Sequence, residues 1–151
     1  MNTGLKFRNL ASTPDDPVDT WPFEGVLTAL ERGSLPDWQR LSAAIVNDPW
    51  GPVARQVEEA VSISRPYGTA DLMEMVIAKA RSDAADFERS EVAVEVRGLL
   101  LQSGLTQAAL AERIGTSPSR FSTYVAGKVV PSAGLMVRLR NVVRHVIDGD
   151  Q

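Results

Sequence analysis

A chain of 151 residues with 44% hydrophobic and 23% charged side chains has the make-up of an ordinary globular protein, either one medium domain or two small ones. It has no cysteine, which excludes disulfides and thiolate metal sites and suits a reducing cytoplasm. The formal net charge of −3 is unevenly spread: residues 1–90 hold nine Lys/Arg against fourteen Asp/Glu, whereas Arg97 to Arg144 hold seven positive residues against Glu112 alone.

Residues 1–20 are polar, with Pro14 and Pro17 set among Asp15, Asp16 and Asp19. That composition predicts a flexible N-terminal arm. The arm has no apolar h-region, so the expectation is no secretory signal and a cytoplasmic protein. From Phe23 the apolar residues fall at Phe23, Val26, Leu27 and Leu30, the stripe of an amphipathic helix that Gly33 ends. Ser34 and Pro36 start a second helix with Trp38, Leu41 and Ile45 on one face. The turn from Asn47 to Pro52 leads to a third, marked by Val53, Val57 and Val61. Trp21, Trp38 and Trp50 are expected to anchor the core of these helices. Thr69 opens a helical pattern reaching Ser103, with Leu72, Val76, Ala80, Ala84, Phe87, Val92, Val96, Leu99 and Leu100 as core-like positions. It is either one long spine or two helices broken near Glu88–Ser90. No stretch alternates with period two, and no apolar run is long enough to cross a membrane. The expected fold is therefore all-α, with a flexible arm at 1–20, an acidic helical domain at 21–90 and a third region at 91–151.

The third region carries the informative spacing. Gly104 ends one helix and Thr106 caps the next, whose inward residues are Leu110, Ala111 and Ile114. Gly115 makes a short turn. Ser117 then caps a further helix with Pro118 at its first position, where a missing N–H costs nothing. Phe121 and Tyr124 face inward, Gly127 stops the helix, and Pro131-Ser132 opens another with Leu135, Leu139, Val142 and Val143. Two helices joined by so short a turn cross steeply and need a small residue at closest approach, here Ala111, and a glycine in the turn. The second helix is then held out with Ser117, Pro118, Ser119, Ser122, Thr123 and Ala126 facing away from the core. This is helix-turn-helix geometry.

Residues 93–143, and LTQAALAERIGTSPSRFSTYVAGKVVPS above all, resemble the phage-repressor and Cro-like helix-turn-helix family often called Xre. The resemblance rests on Gln107, Leu110-Ala111, Ile114-Gly115, Phe121, Tyr124, Gly127-Lys128 and Pro131 at fixed distances. It implies a lambda-repressor-like domain in which Gln107 and Lys128 meet phosphates while Pro118, Ser119 and Thr123 face base edges. Thr116, Ser117, Arg120 and Ser122 complete the candidate DNA-binding set, Arg120 being the single long donor on the reading helix, able to reach a guanine edge or, as its sideways position favours, a phosphate. The chain departs from the family at Pro118, where many members carry a long amide that pairs with adenine.

These features predict a transcriptional regulator, a repressor in the first instance, binding double-stranded DNA at a palindrome as a homodimer, with residues 21–90 as the dimerisation or partner-binding domain. Residues 118–126 would lie in the major groove. Small readers imply reliance on backbone contacts and DNA shape. One alternative is an antitoxin whose residues 21–90 bind a toxin or other protein while the helix-turn-helix represses its own operon. A second is a helix-turn-helix used only as a protein-interaction module. Glu58-Glu59, Asp83 and Asp86 have no neighbouring nucleophile, histidine or glycine-rich loop, so no catalytic site, cofactor or metal is expected.

Overall fold

A computed structural model describes residues 4–8 and 10–149. A 3₁₀ turn at Val18–Thr20 precedes seven helices among these residues: α1 (Phe23–Arg32), α2 (Leu35–Asn47), α3 (Pro52–Ile63), α4 (Thr69–Ser103), α5 (Gln107–Ile114), α6 (Pro118–Val125) and α7 (Ala133–Gly149). No strand occurs among them, so the fold is all-α as expected. The chain divides into two compact units, residues 1–84 and 85–151, and the division falls inside α4. That helix is continuous over 35 residues, which resolves the choice between a spine and a break in favour of the spine.

In the first unit, Val26, Ala29 and Leu30 of α1, Leu41 and Ile45 of α2, and Val53, Val57 and Val61 of α3 are buried together. Full burial of each large aliphatic side chain contributes about 1.5–3 kcal/mol. The turn between α1 and α2 needs glycine for a steric reason. Gly33 has extended backbone, not the left-handed form of many helix ends, but a Cβ there would overlap the Ala29 carbonyl oxygen. Its successor Ser34 caps α2, and the Asp37 carboxylate accepts a hydrogen bond from the Ser34 N–H at 2.9 Å.

Three expectations for this unit change. Described residues of the segment expected to form a flexible arm pack on the core. Val18 is buried there, and Leu5 and Phe7 lie against it. Phe7 meets Trp21 edge-on at 5.1 Å. The Arg40 guanidinium donates to the carbonyls of Pro14 and Asp16 and lies over the Trp21 ring. One arginine therefore gathers backbone oxygens that the proline-rich composition leaves without helical partners. The tryptophans also differ from one another. Trp21 is buried, and Trp38 is half-buried with its indole N–H donating to the Ala29 carbonyl at 2.9 Å. Trp50 is 49% exposed, covered on one face by Arg81, and is not a core anchor. Finally, α4 turns Ala70, Met73, Ile77 and Ala80 into the core, while Leu72 is 40% and Phe87 66% exposed. The inward stripe runs one position later than Leu72 and Val76 imply.

In the second unit, Val96 of α4 packs with Leu110, Ala111 and Ile114 of α5, Phe121 and Tyr124 of α6, and Met136, Leu139 and Val143 of α7. Leu135 and Val142, expected inside, are half-buried at the margin of this core, and Met136 takes the central place.

Candidate nucleic-acid interface

Local chemistry fixes each end of the α5–α6 pair. Gly104 closes α4 at φ 66°, the left-handed region where glycine is strain-free. The Thr106 hydroxyl accepts the Ala109 N–H at 3.1 Å and starts α5. Gly115 ends α5 at φ 78°, and the N–H of Thr116 donates back to the Ala111 carbonyl at 3.0 Å. The Ser117 hydroxyl accepts the Arg120 N–H at 3.1 Å, and Pro118 occupies the first turn of α6. Gly127, at φ 74°, ends that helix, and a Cβ there would press on Ala93 at 3.3 Å. The Lys128 N–H then donates to the Thr123 carbonyl at 2.9 Å.

Two tertiary bonds set α5 and α6 more firmly than the turn alone would. Arg138 of α7 donates to the Ile114 carbonyl at 2.9 Å, and Arg97 of α4 donates to the Val125 carbonyl at 2.8 Å. Each places a positive charge on carbonyls at a helix C-terminus, where the dipole favours it. Neither Arg138 nor Arg140 merely decorates a solvated face. Arg138 instead braces α5, and Arg140 grips Glu95 through Nε at 2.6 Å and Nη2 at 3.1 Å. The hydrogen bond from Arg140 holds the Glu95 carboxyl below its usual range and raises Arg140 in turn.

The outward face of α6 is small and polar. Ser117, Pro118, Ser119, Arg120 and Ser122 are exposed, and Thr123 is half-buried with its hydroxyl donating to the Arg120 carbonyl at 2.6 Å. Ser117, Ser119, Arg120 and Thr123 line one shallow groove with Tyr124 and Val129. Thr116 and Arg120 line a second with Gly115, Tyr124, Ser132 and Arg138. Arg120 thus stands between the two. Gln107, half-buried in the first turn of α5, and exposed Lys128 do not line either groove. Among the described residues of the second unit, the lysine and arginine side chains without a hydrogen-bonding or ionic partner are those of Arg113, Arg120, Lys128 and Arg144. Val129 was missed by the sequence reading. Its signal is a pair of exposed β-branched residues, Val129 and Val130, in a loop where solvent-facing polar residues would be ordinary.

Residues 91–144 match a family model described as a helix-turn-helix domain. No curated protein and no solved structure matches the chain. The second unit is thus a helix-turn-helix domain of a kind associated with DNA binding, and among the described residues no helix is long and apolar enough to cross a membrane.

Proposed function

We propose that the chain is a sequence-specific transcriptional regulator of the Cro-like type, a repressor that binds a palindromic operator as a homodimer. The second unit lays α6 in the major groove. The observation that carries this reading is the outward face of α6, with small hydroxyl side chains around one unpartnered guanidinium at Arg120. A groove-filling helix needs a face that lets the duplex approach closely, and small residues allow that.

Ser119 and Thr123 contact base edges with little discrimination. Pro118 offers only an apolar surface, suited to a thymine methyl. Gln107, Lys128 and Arg120 meet phosphates, with Thr116, Ser117 and Ser122 along the same surface. Specificity then depends on two half-sites about one helical turn apart and on the deformability of the DNA between them. Selecting bound duplexes from a random pool tests this directly. The expected result is a two-fold symmetric motif with few fixed bases per half-site. Undetectable binding to any duplex at low salt would remove the regulator reading and leave the helix-turn-helix as a protein-interaction module.

A second reading, an antitoxin whose first unit holds a toxin, is favoured by one observation. Ile63, Tyr67 and Met75 of the first unit are all well exposed, and exposed apolar side chains suit a protein partner. Co-purification of a small protein encoded beside this chain distinguishes it.

A further inference from the structure

The groove between α6 and the start of α7 is rich in donors. Thr116, Arg120, Tyr124, Ser132 and Arg138 border it, and no carboxylate is among its lining residues. Arg138 gives only Nη1 to the Ile114 carbonyl, which leaves other N–H groups of its guanidinium open. The Ser132 hydroxyl oxygen accepts the Leu135 N–H at 3.1 Å, so its own proton is still to be given. Tyr124 is the informative member. It is 8% exposed, and its ring packs in the core with Phe121. A phenylalanine would fill that space equally, and a buried tyrosine ordinarily gives its hydroxyl a partner. Here no atom among the described residues bonds it. The sealed side-chain oxygen without a partner among them is Ser12 Oγ, so the Tyr124 hydroxyl is open to the groove.

We infer that this groove seats one phosphate of the DNA backbone, with the Tyr124 hydroxyl donating to a phosphate oxygen between the guanidiniums of Arg120 and Arg138. Two positive charges, several hydroxyl donors and no carboxylate match a tetrahedral oxyanion. Arg120 borders the groove from the outward face of α6, so an anion held there lies beside a duplex laid along that helix. The groove is shallow. A free ion in so open a seat keeps most of its water, whereas a phosphate carried in a backbone is brought there by the contacts of its neighbours. The inference rests on the DNA-binding reading above and adds two ligands to it. Tyr124 is a phosphate donor as well as a core ring, and Arg138 serves the duplex as well as α5.

Tyr124→Phe in the full chain tests this, because it removes the donor and leaves the ring. The expected result is an unchanged melting temperature and an affinity lowered about tenfold for any duplex. The slope of log affinity against log salt should stay the same, since a neutral donor releases no counterion. In the duplex that the protein selects, phosphates replaced singly by uncharged methylphosphonates should reveal one position in each half-site where the replacement and Tyr124→Phe are not additive. Unchanged affinity of Tyr124→Phe for duplexes that the unsubstituted chain binds would overturn the seat and leave the regulator reading standing. So would a melting temperature that falls together with affinity, which would make the hydroxyl structural. Binding of inorganic phosphate that needs Tyr124, with DNA affinity indifferent to it, would assign the groove to a free anion and likewise overturn the inference. An unsubstituted chain that binds no duplex at low salt would overturn both.

Discussion

Two helical faces of the second unit lie open, and they are chemically opposite. The face of α6 carries Ser117, Ser119, Ser122 and Arg120, with short polar groups and a single long cation. The face of α4 carries Phe87, Val94 and Leu101. A polar face keeps its hydration until a partner offers hydrogen bonds and charge, which suits a wet, anionic duplex. An apolar face gains by excluding water and suits a dry contact with another protein. The two faces therefore suit different classes of partner, and substitutions can separate them.

The largest effect should come from the turn. Gly115→Val forces a β-branched residue to φ 78° and should cost on the order of 2 kcal/mol. Both faces then fail together, read as a lower melting temperature and loss of DNA binding. Ser117→Ala removes the α6 cap and should cost about 1 kcal/mol. It sharpens the comparison by loosening the polar face while leaving the apolar face of α4 intact, visible as faster amide exchange confined to α6. Arg120→Ala should leave stability unchanged, weaken DNA binding and lower the slope of log affinity against log salt by about 1. An unchanged slope would mean that Arg120 does not meet a phosphate. Gln107→Ala should reduce affinity alike for all sequences, since phosphate contacts carry no base information.

The smallest effect concerns neither face. The Glu95 carboxyl is held below its usual range by Arg140, so this pair stabilises the fold above the ordinary glutamate range. That contribution is lost as pH falls through the lowered value. Glu95→Gln should slightly flatten the acid limb of the stability–pH curve, and because the pair is exposed the change should be small.

The second unit was largely legible because its determinants are local. Thr106, Gly115, Ser117 and Pro118 each act within a turn of their own position, and the 3.6-residue stripe of Leu110, Ala111 and Ile114 is short and unambiguous. The face of α4 was not legible for the opposite reason. Apolar residues occur all round it, so Leu72 and Phe87 fit a periodic stripe as well as Met73 and Ile77 do, and only packing decides. The contacts of Arg97 with Val125 and Arg138 with Ile114 join residues 28 and 24 positions apart and leave no local mark. The proline- and aspartate-rich start misled for a related reason, since the partner that orders it, Arg40, lies on α2. Of the candidate DNA-binding residues, those on α6 could be placed outward from its stripe alone, whereas the groove shared with Val129 depends on how the following loop folds back.

The uneven placement of the tryptophans has an optical consequence. Trp21, Trp38 and Trp50 all belong to the first unit, and residues 85–151 contain none. Indole emission therefore follows the melting of the first unit alone, while far-ultraviolet dichroism sums the helices of both. The sole aromatic phenol of the second unit, Tyr124, sits on α6 between the two grooves. The indoles therefore mark one unit only, and a melting step seen by dichroism but silent in indole emission belongs to the second.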